Sequence, residues 1–333
     1  MSRESLLLWI TVPMYLLFIV SEIYIGKKRQ IKNYQWQDSL VSISLGIIGA
    51  AFDFGFKYLT LGVLDWCNAH AIFQSNLIQL YPIMAWVLLF IGQDFCFYWL
   101  HREEHYNRTL WAVHSNHHSS EHYNFTVALR SSTLQPLYRY VFYIPVAFLG
   151  FDGMSIMFMY AVNQVYQFFL HTELIGKLPK WYEAIFVTPS HHRVHHASNV
   201  IYLDKNMGQV LIIWDKLFGT FQTETEAPVY GITSKIESYN PLTVMFYEWK
   251  KLFKDVFKSS SLLHAFKYLI NPPGWSHDGS TKTSKALREE LLIKNQLREF
   301  RVLFKVRFAF FNKGISTLLR FICKVIQECG TTR

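Results

Sequence analysis

Apolar residues in this chain gather into long runs, separated by short polar segments that are rich in histidine. Leu6 to Val20 holds no charged residue, and Lys27, Lys28, Arg29 and Lys32 follow it. That pattern predicts a first membrane span running toward a basic, cytosolic side, with Pro13 placed to kink it. A weaker second run covers Ser39 to about Leu64 and is interrupted by Asp53 and Lys57. No Lys or Arg occurs from Leu59 to Leu100, so the connection over 61–76 is expected on the far side. Leu77 to Leu100 then reads as a returning span, about 36 Å long as a helix against a hydrocarbon core of about 30 Å. Tyr140 to Leu170 has Asp152 as its one charge and is divided near Gly150 and Gly153. It predicts two short helices in a hairpin that enters the membrane from the cytosolic face and at the limit spans it.

Thr188 and Pro189 have the chemistry of an N-cap and a first-turn proline, so a helix is predicted to open at Ser190. Val210 to Phe221, apolar and aromatic around Trp214, Asp215 and Lys216, suits a segment packed at the membrane surface. The stretch from Asn271-Pro-Pro-Gly-Trp275 to Lys285 reads as a turn-rich linker. Beyond it, Leu287 to Gln327 mixes apolar residues with Arg298, Arg301, Lys305, Arg307, Lys313, Arg320 and Lys324. Residues 298, 301 and 305 share one helical face, which predicts an interfacial amphipathic helix, with a coiled-coil partner helix as the alternative. The expected class is an all-α integral membrane protein whose transmembrane helices carry a cytosolic, histidine-rich helical cap. The expected divisions are an N-terminal transmembrane anchor region over 1–76, a working domain over 77–270, a linker over 271–286 and a basic amphipathic helix over 287–333.

Composition sharpens this picture in two ways. The 333 residues are 51% hydrophobic and 17% aromatic, too apolar for an ordinary soluble domain, while 17% charged residues leave room for a polar working part. The net charge of +9 suits anionic lipid headgroups, and no nucleic-acid fold motif accompanies it, so the bilayer and not nucleic acid is the expected partner. Cys67, Cys96, Cys323 and Cys329 form no CxxC pair, which favours packing in a reducing compartment. The first apolar run lacks a small-residue cleavage site and is read as a retained anchor, and no CaaX or KDEL-type signal stands at the end.

Histidine carries the chemistry. Nine of the fourteen histidines fall as His101 and His105, then His114, His117 and His118, then His192, His195 and His196, with His171 standing between. Separations of three and four put side chains on neighbouring helical turns, and that spacing recurs three times just beyond apolar runs, which predicts metal binding. A zinc site needs only four ligands and usually mixes in cysteine or carboxylate, whereas eight or nine imidazoles fill two metal sites. Imidazole suits iron, copper, nickel and zinc alike. His101-Arg-Glu-Glu-His105 superficially matches HExxH, but Arg102 stands where that motif needs its general base, and Glu103 and Glu104 are read as solvated or interfacial charges. Asp94, two helical turns before His101, is placed to accept the far ring N–H of a ligand histidine, and Asn163 and Gln167 approach His171 along one stripe for the same task. His191 is a weaker candidate ligand, His122 is either a supporting or an exposed residue, and His70, His264 and His277 read as ordinary.

The boxes HxxxH, HxxHH and HxxHH stand in order, and the chain thereby resembles the fatty acid hydroxylase and sterol desaturase superfamily of membrane di-iron enzymes. Longer stretches carry a resemblance to its alkylglycerol monooxygenase branch: Gln93 to Arg102, Asn116 to Asn124, Ala128-Leu-Arg130, Tyr166 to Glu173, Thr188 to His196, Asp204-Lys-Asn206 and Val210 to Phe221. The likeness runs from about residue 35 to Trp275. It implies two iron ions per chain, with the eight box histidines as ligands and His171 as the extra histidine that helps the second iron. It also implies dioxygen, a separate electron donor and a lipid substrate hydroxylated at a C–H bond, with ether-lipid cleavage in that branch. Arg130, Glu173 and Asn206 fall on family positions, and Asn206 joins Asp94, Asn163 and Gln167 as an expected support around the ligands. Two features depart from the branch. Tyr106 replaces a glutamate tied to tetrahydrobiopterin, and the basic tail replaces further spans. The alternatives are a sterol or fatty acyl hydroxylase or desaturase of the same superfamily and, from another class, a non-enzymatic membrane metal-binding protein. The expected location is the endoplasmic reticulum if eukaryotic or the inner membrane if bacterial.

Overall fold

The computed structural model describes residues 3–73 and 77–301, and it is helical throughout, with no strand among the described residues beyond two isolated bridges. Helix α1 (Arg3–Arg29) ends in Lys27, Lys28 and Arg29, cations that complement the negative end of its dipole. Helix α2 (Trp36–Ala69) is longer than its sequence suggests and continues through Asp53 and Lys57. The reason is local: Asp53 pairs with Arg139 on the inner side, so the charge is compensated within the fold. The connection after α2 therefore begins only at His70 and does not include 61–69. The returning span is broken at Tyr81 into α3 (Leu77–Leu80) and α4 (Pro82–Tyr106), because Pro82 sits at the first position of the second piece. Helices α1, α2 and α4 each contain a segment long and apolar enough to cross a membrane.

Helix α4 runs six residues past Leu100, and this carries the first histidine pair out on the same helix. Asn107 then caps α5 (Arg108–His118), its side chain accepting from the backbone N–H groups of Thr109 and Leu110. A short α6 (Phe125–Ala128) and two 3-10 turns lead to α7 (Ile144–Phe148) and α8 (Gly153–Leu170). The expected hairpin divides where the glycines predict, yet its first limb is a five-residue helix, too short to cross a bilayer. Helices α9 (Lys180–Glu183), α10 (Pro189–His196), α11 (Ile213–Leu217), α12 (Pro241–Phe257) and α13 (Leu262–Ile270) complete the set. Helix α10 opens at Pro189, one residue before the expected Ser190, and the Thr188 hydroxyl bonds the Glu183 carboxylate instead of capping the helix.

One apolar core joins α2, α4, α7 and α8 through Leu64, Leu89, Leu100, Tyr143, Val146 and Ile156. The opposite side of α2 leaves Leu40, Ile43, Ile47, Phe54, Tyr58 and Trp66 exposed, at steps suited to a lipid-facing stripe. On the inner side, Gly46 and Gly49 admit residues 129–133 to the helix backbone. A Cβ on Gly46 would lie 2.6 Å from the Leu129 carbonyl oxygen, and one on Gly49 would lie 2.4 Å from Ser131 Oγ. The chain divides into two compact units, Met1–Thr281 and Lys282–Arg333. In the second, residues 284–301 are helical, while Lys305, the later basic residues, Cys323 and Cys329 lie outside the described residues.

Candidate metal centre

Four helices bring nine imidazoles together: the last turns of α4, the whole of α5, the end of α8 and all of α10. They sort into two groups whose ligand atoms lie within 4.8 Å of one another, His101, His105, His114, His118 and His195 in one, His117, His171, His192 and His196 in the other. The HxxHH spacing explains the sorting. In α5, His114 and His118 are four residues apart and face the first group, while His117 is turned toward the second. In α10 the division is reversed, with His192 and His196 in the second group and His195 in the first. Each HxxHH box therefore gives two rings to one group and one to the other, while His101 and His105 both join the first, and the shared boxes hold the two groups side by side.

The outer edge of each ring is fixed first. The Nδ1 atoms of His101, His117, His171 and His195 lie 2.8 Å from Met207 O, 3.0 Å from Arg130 O, 2.8 Å from Gln167 O and 2.9 Å from Lys205 O. A carbonyl oxygen only accepts, so these Nδ1 atoms carry the ring hydrogen and each Nε2 points inward as a bare lone pair. His114 Nδ1 stands 3.0 Å from Ser132 Oγ and 3.2 Å from Glu104 Oε2, and His105 Nδ1 is 3.4 Å from Asp204 Oδ1. Inside, Nε2 meets Nε2: His114 with His101 and His118 at 3.0 Å, His171 with His192 at 3.1 Å and with His117 at 3.4 Å, and His196 with His192 at 3.2 Å. The Nε2 atoms of His105 and His195 are buried with no hydrogen-bond partner.

His117 and His171, both with Nδ1 on a carbonyl, face each other lone pair to lone pair, and such a pair repels unless a cation stands between. Two nitrogens each about 2.1 Å from a common ion, at angles between square and tetrahedral, are separated by about 3.0–3.4 Å. The observed separations fall in that range, so both groups fit a metal ion. Burial, reinforced by the neighbouring imidazoles, holds His114, His118, His171, His192, His195 and His196 well below the ordinary value of 6.5, and burial lowers His117 to about 4. These seven rings are therefore neutral, which is the ligating form.

The supports differ from those the spacing suggests. Asp94 touches no histidine; it accepts from the backbone N–H groups of Val210 and Leu211 and from Trp214 Nε1, and so holds the 210–214 segment against α4. Asn163 donates to Gln93 Oε1 at 2.7 Å and likewise does not reach a ring. Gln167 does meet His171, but through its main-chain carbonyl, while its side chain bonds Gln209 O. Asn206 is buried with φ of 57° and donates to His191 O and Gln222 O while accepting from Gln222 N–H. It thereby braces the short run Asp204 to Met207, which supplies the Nδ1 partners of His101, His105 and His195. Glu104 is not solvated: it is fully buried, accepts from Gln135 and Tyr138 at 2.7 Å, and lies beside His114. Nothing in local spacing joins Ser132, Glu104 or Asp204 to the boxes as ring partners. Arg130, buried and paired with Asp38, holds His117 by its carbonyl.

The remaining histidines stay apart. His191 packs on Phe221, His122 bonds Gln35, His70 bonds Trp66 O, and His264 stacks on His277. Above the imidazoles lies a cavity of about 540 Å³ that reaches His101, His114, His117, His171 and His192 and is walled by α1, α2 and α8. Its walls are more apolar than polar, with Tyr15, Phe97 and Phe168, and Asp53, Lys57 and Arg139 are among the charged residues facing it from α2 and the segment before α7. Of the aromatic residues near the hairpin, Phe168 lines the cavity, while Trp181 is 69% exposed.

Residues 86–220, the stretch that holds all the box histidines, match the family model described as Fatty acid hydroxylase. Among full sequences it is similar to an alkylglycerol monooxygenase of Homo sapiens, 40% identical over 260 residues that make up 76% of this chain and 56% of the relative. An alkylglycerol monooxygenase of Xenopus tropicalis is 34% identical over 86% of this chain and 62% of its own length, and a more distant ornithine lipid hydroxylase of Rhizobium tropici is 30% identical over 45% and 46%. The chain thus spans little more than half the length of the alkylglycerol monooxygenases it matches. No solved structure matches it.

Proposed function

We propose that the protein is a membrane di-iron monooxygenase that hydroxylates a C–H bond of a lipid with dioxygen. The observation that supports this best is the meeting of two groups of inward-facing imidazoles with an apolar cavity between spanning helices. The five-imidazole group of His101, His105, His114, His118 and His195 would hold one iron, and His117, His171, His192 and His196 would hold the other. When bound there, two irons would supply the redox chemistry for activating dioxygen. The protein's part is to bind, orient and keep dry: the carbonyls of Met207, Arg130, Gln167 and Lys205 fix the rings, and Phe97 and Phe168 exclude water from the approaching chain.

The preferred substrate is an alkyl ether lipid, as the names of the most similar relatives suggest. One oxygen atom enters the carbon beside the ether oxygen, the other leaves as water with two electrons and two protons from a separate donor, and the resulting hemiacetal separates into an aldehyde and glycerol. Tyr106 argues against tetrahydrobiopterin as that donor. A sterol or fatty acyl substrate is the second reading, favoured by that same departure and by the distant lipid hydroxylase relative. The metal centre lies on the cytosolic face, in the endoplasmic reticulum or a bacterial inner membrane. Residues 1–76 anchor the domain of 77–270, and 271–286 form the linker that follows it. Purified protein is expected to contain two irons per chain and to convert an alkylglycerol to aldehyde only in the presence of oxygen. His117→Ala is expected to lose one metal and all turnover. Zinc alone with no oxygen-dependent product would favour a non-enzymatic metal protein, and a hydroxylated sterol or acyl product would select the second reading.

A further inference from the structure

Helices α12 and α13 carry a surface that the metal centre does not explain. On α12, Val244, Met245, Glu248 and Leu252 are buried against α2 and α5. A second stripe, Leu242, Phe246, Phe253 and Phe257, is exposed, reaching 84% at Phe257. Lys250, Lys254 and Lys258 run at four-residue steps along the adjoining flank. Helix α13 repeats the arrangement in nine residues, with Leu262, Leu263, Phe266 and Ile270 exposed on one side and Leu262 at 91%. Apolar side chains so contiguous and so bare mark an interaction surface.

The position of the pair identifies what covers it. Arg108 N–H donates to Asn271 O at 3.1 Å, and Thr109 Oγ1 donates to Leu269 O at 2.9 Å. Those bonds fasten the end of α13 two and three residues after α4 stops, where the third apolar span leaves its hydrocarbon segment. The start of α12 packs on Val41 and Leu45, in the first turns of the second span. The pair is thus tied to two span ends on the histidine side, continuous with the lipid-facing surface of α2.

We propose that α12 and α13 form an interfacial anchor lying in the plane of the membrane, with the Phe and Leu stripe among the acyl chains and Lys250, Lys254 and Lys258 on anionic lipid headgroups. Lysine stems can cover apolar surface while their ammonium groups reach phosphate, and clustered lysines at a leaflet with anionic lipid add to the attraction. Because α12 packs on α5, the anchor fixes the height of the helix that carries His114, His117 and His118. The inference does not depend on which metal or substrate the centre takes.

The full chain, placed in nanodiscs of phosphatidylcholine with or without phosphatidylserine, can carry a photoreactive benzophenone residue in place of Phe257, Leu262 or, as a control on the exposed loop, Glu226. Lipid adducts read by mass spectrometry are expected to be severalfold more abundant at 257 and 262 than at 226. The combined change Lys250→Glu, Lys254→Glu and Lys258→Glu is expected to reduce the phosphatidylserine share of those adducts severalfold. Adducts to a second copy or another protein, or lipid adducts at 257 and 262 no higher than at 226, would overturn the anchor. Should the triple variant misfold, the exposed single positions still decide the question.

Discussion

At the scale of single residues, the ring hydrogens decide how the centre is built. Asn206 is the side chain that keeps Lys205 O and Met207 O aimed at His195 and His101, in a left-handed backbone conformation that asparagine tolerates better than most residues. Asn206→Ala leaves the buried partners of that amide unsatisfied, at a cost of about 1–3 kcal/mol. Metal content is expected to fall from two toward one per chain, because the loop it braces serves only the five-histidine group. Equal loss from both groups would show that Asn206 acts on the fold at large. Acid should act on both groups alike. The folded, metal-free rings resist protonation, whereas the unfolded chain takes up protons below its ordinary value of 6.5, so stability present above that pH is lost as the pH falls, and for His117 the loss levels off near 4. Denaturation of the metal-free protein at stepped pH is expected to show that fall, and a flat profile would contradict it. The nine histidines stand out in the sequence because three- and four-residue spacing is a local property. Their supports do not: Ser132, Glu104, Asp204 and the carbonyls of Arg130 and Met207 reach the rings only after distant segments pack. Asp94 shows the converse, since a seven-residue step fixes its face on α4 but not that Val210, Leu211 and Trp214 meet it first.

At the scale of elements, the apolar runs predict where helices lie better than where they stop. Charge made the second run look weak, yet Asp53 lies beside Arg139, whose guanidinium packs on Tyr140 and Tyr160, and the helix passes through. Pro82 marks the break between α3 and α4 by its own covalent chemistry, and the alternation of polar and apolar residues in Tyr140 to Leu170 does not reveal that the first limb shrinks to a five-residue helix. Close approach is equally hidden. Gly46 reads as one more small residue in an apolar run, but the Leu129 carbonyl oxygen sits where its Cβ would be. Gly46→Ala must push residues 129–133 away from α2, with a cost of about 1–3 kcal/mol, and it moves Arg130 O off His117. Gly55 on the same helix faces open space, so Gly55→Ala is expected to leave stability unchanged or raise it by a few tenths of a kcal/mol up to about 1. Thermal unfolding of the two variants in the same detergent is the comparison, and equal midpoints would remove the packing role assigned to Gly46.

At the scale of the whole membrane-embedded unit, a cavity that takes a chain from the bilayer needs a mouth on a lipid-facing surface and a floor at the reacting groups. The cavity meets both requirements. Its floor includes rings from both histidine groups, and Val12 of α1 and Phe54 of α2, 52% and 76% exposed, stand at its outer edge. Between mouth and floor lie Thr11, Tyr15 and Phe168, the last two stacked with ring centroids 3.9 Å apart, so the passage is bounded by flat apolar walls that guide an extended chain better than a bulky ring system. Val12→Trp adds bulk at the mouth without touching a ligand, a ring partner or the buried core. It is expected to raise KM for a long-chain alkylglycerol severalfold, to change KM for a short-chain analogue less, and to leave kcat and metal content near their original values. Chains that reach the floor from the aqueous side would be indifferent to this substitution, and KM unchanged for both lengths would mean that the gap between α1 and α2 is not the way in.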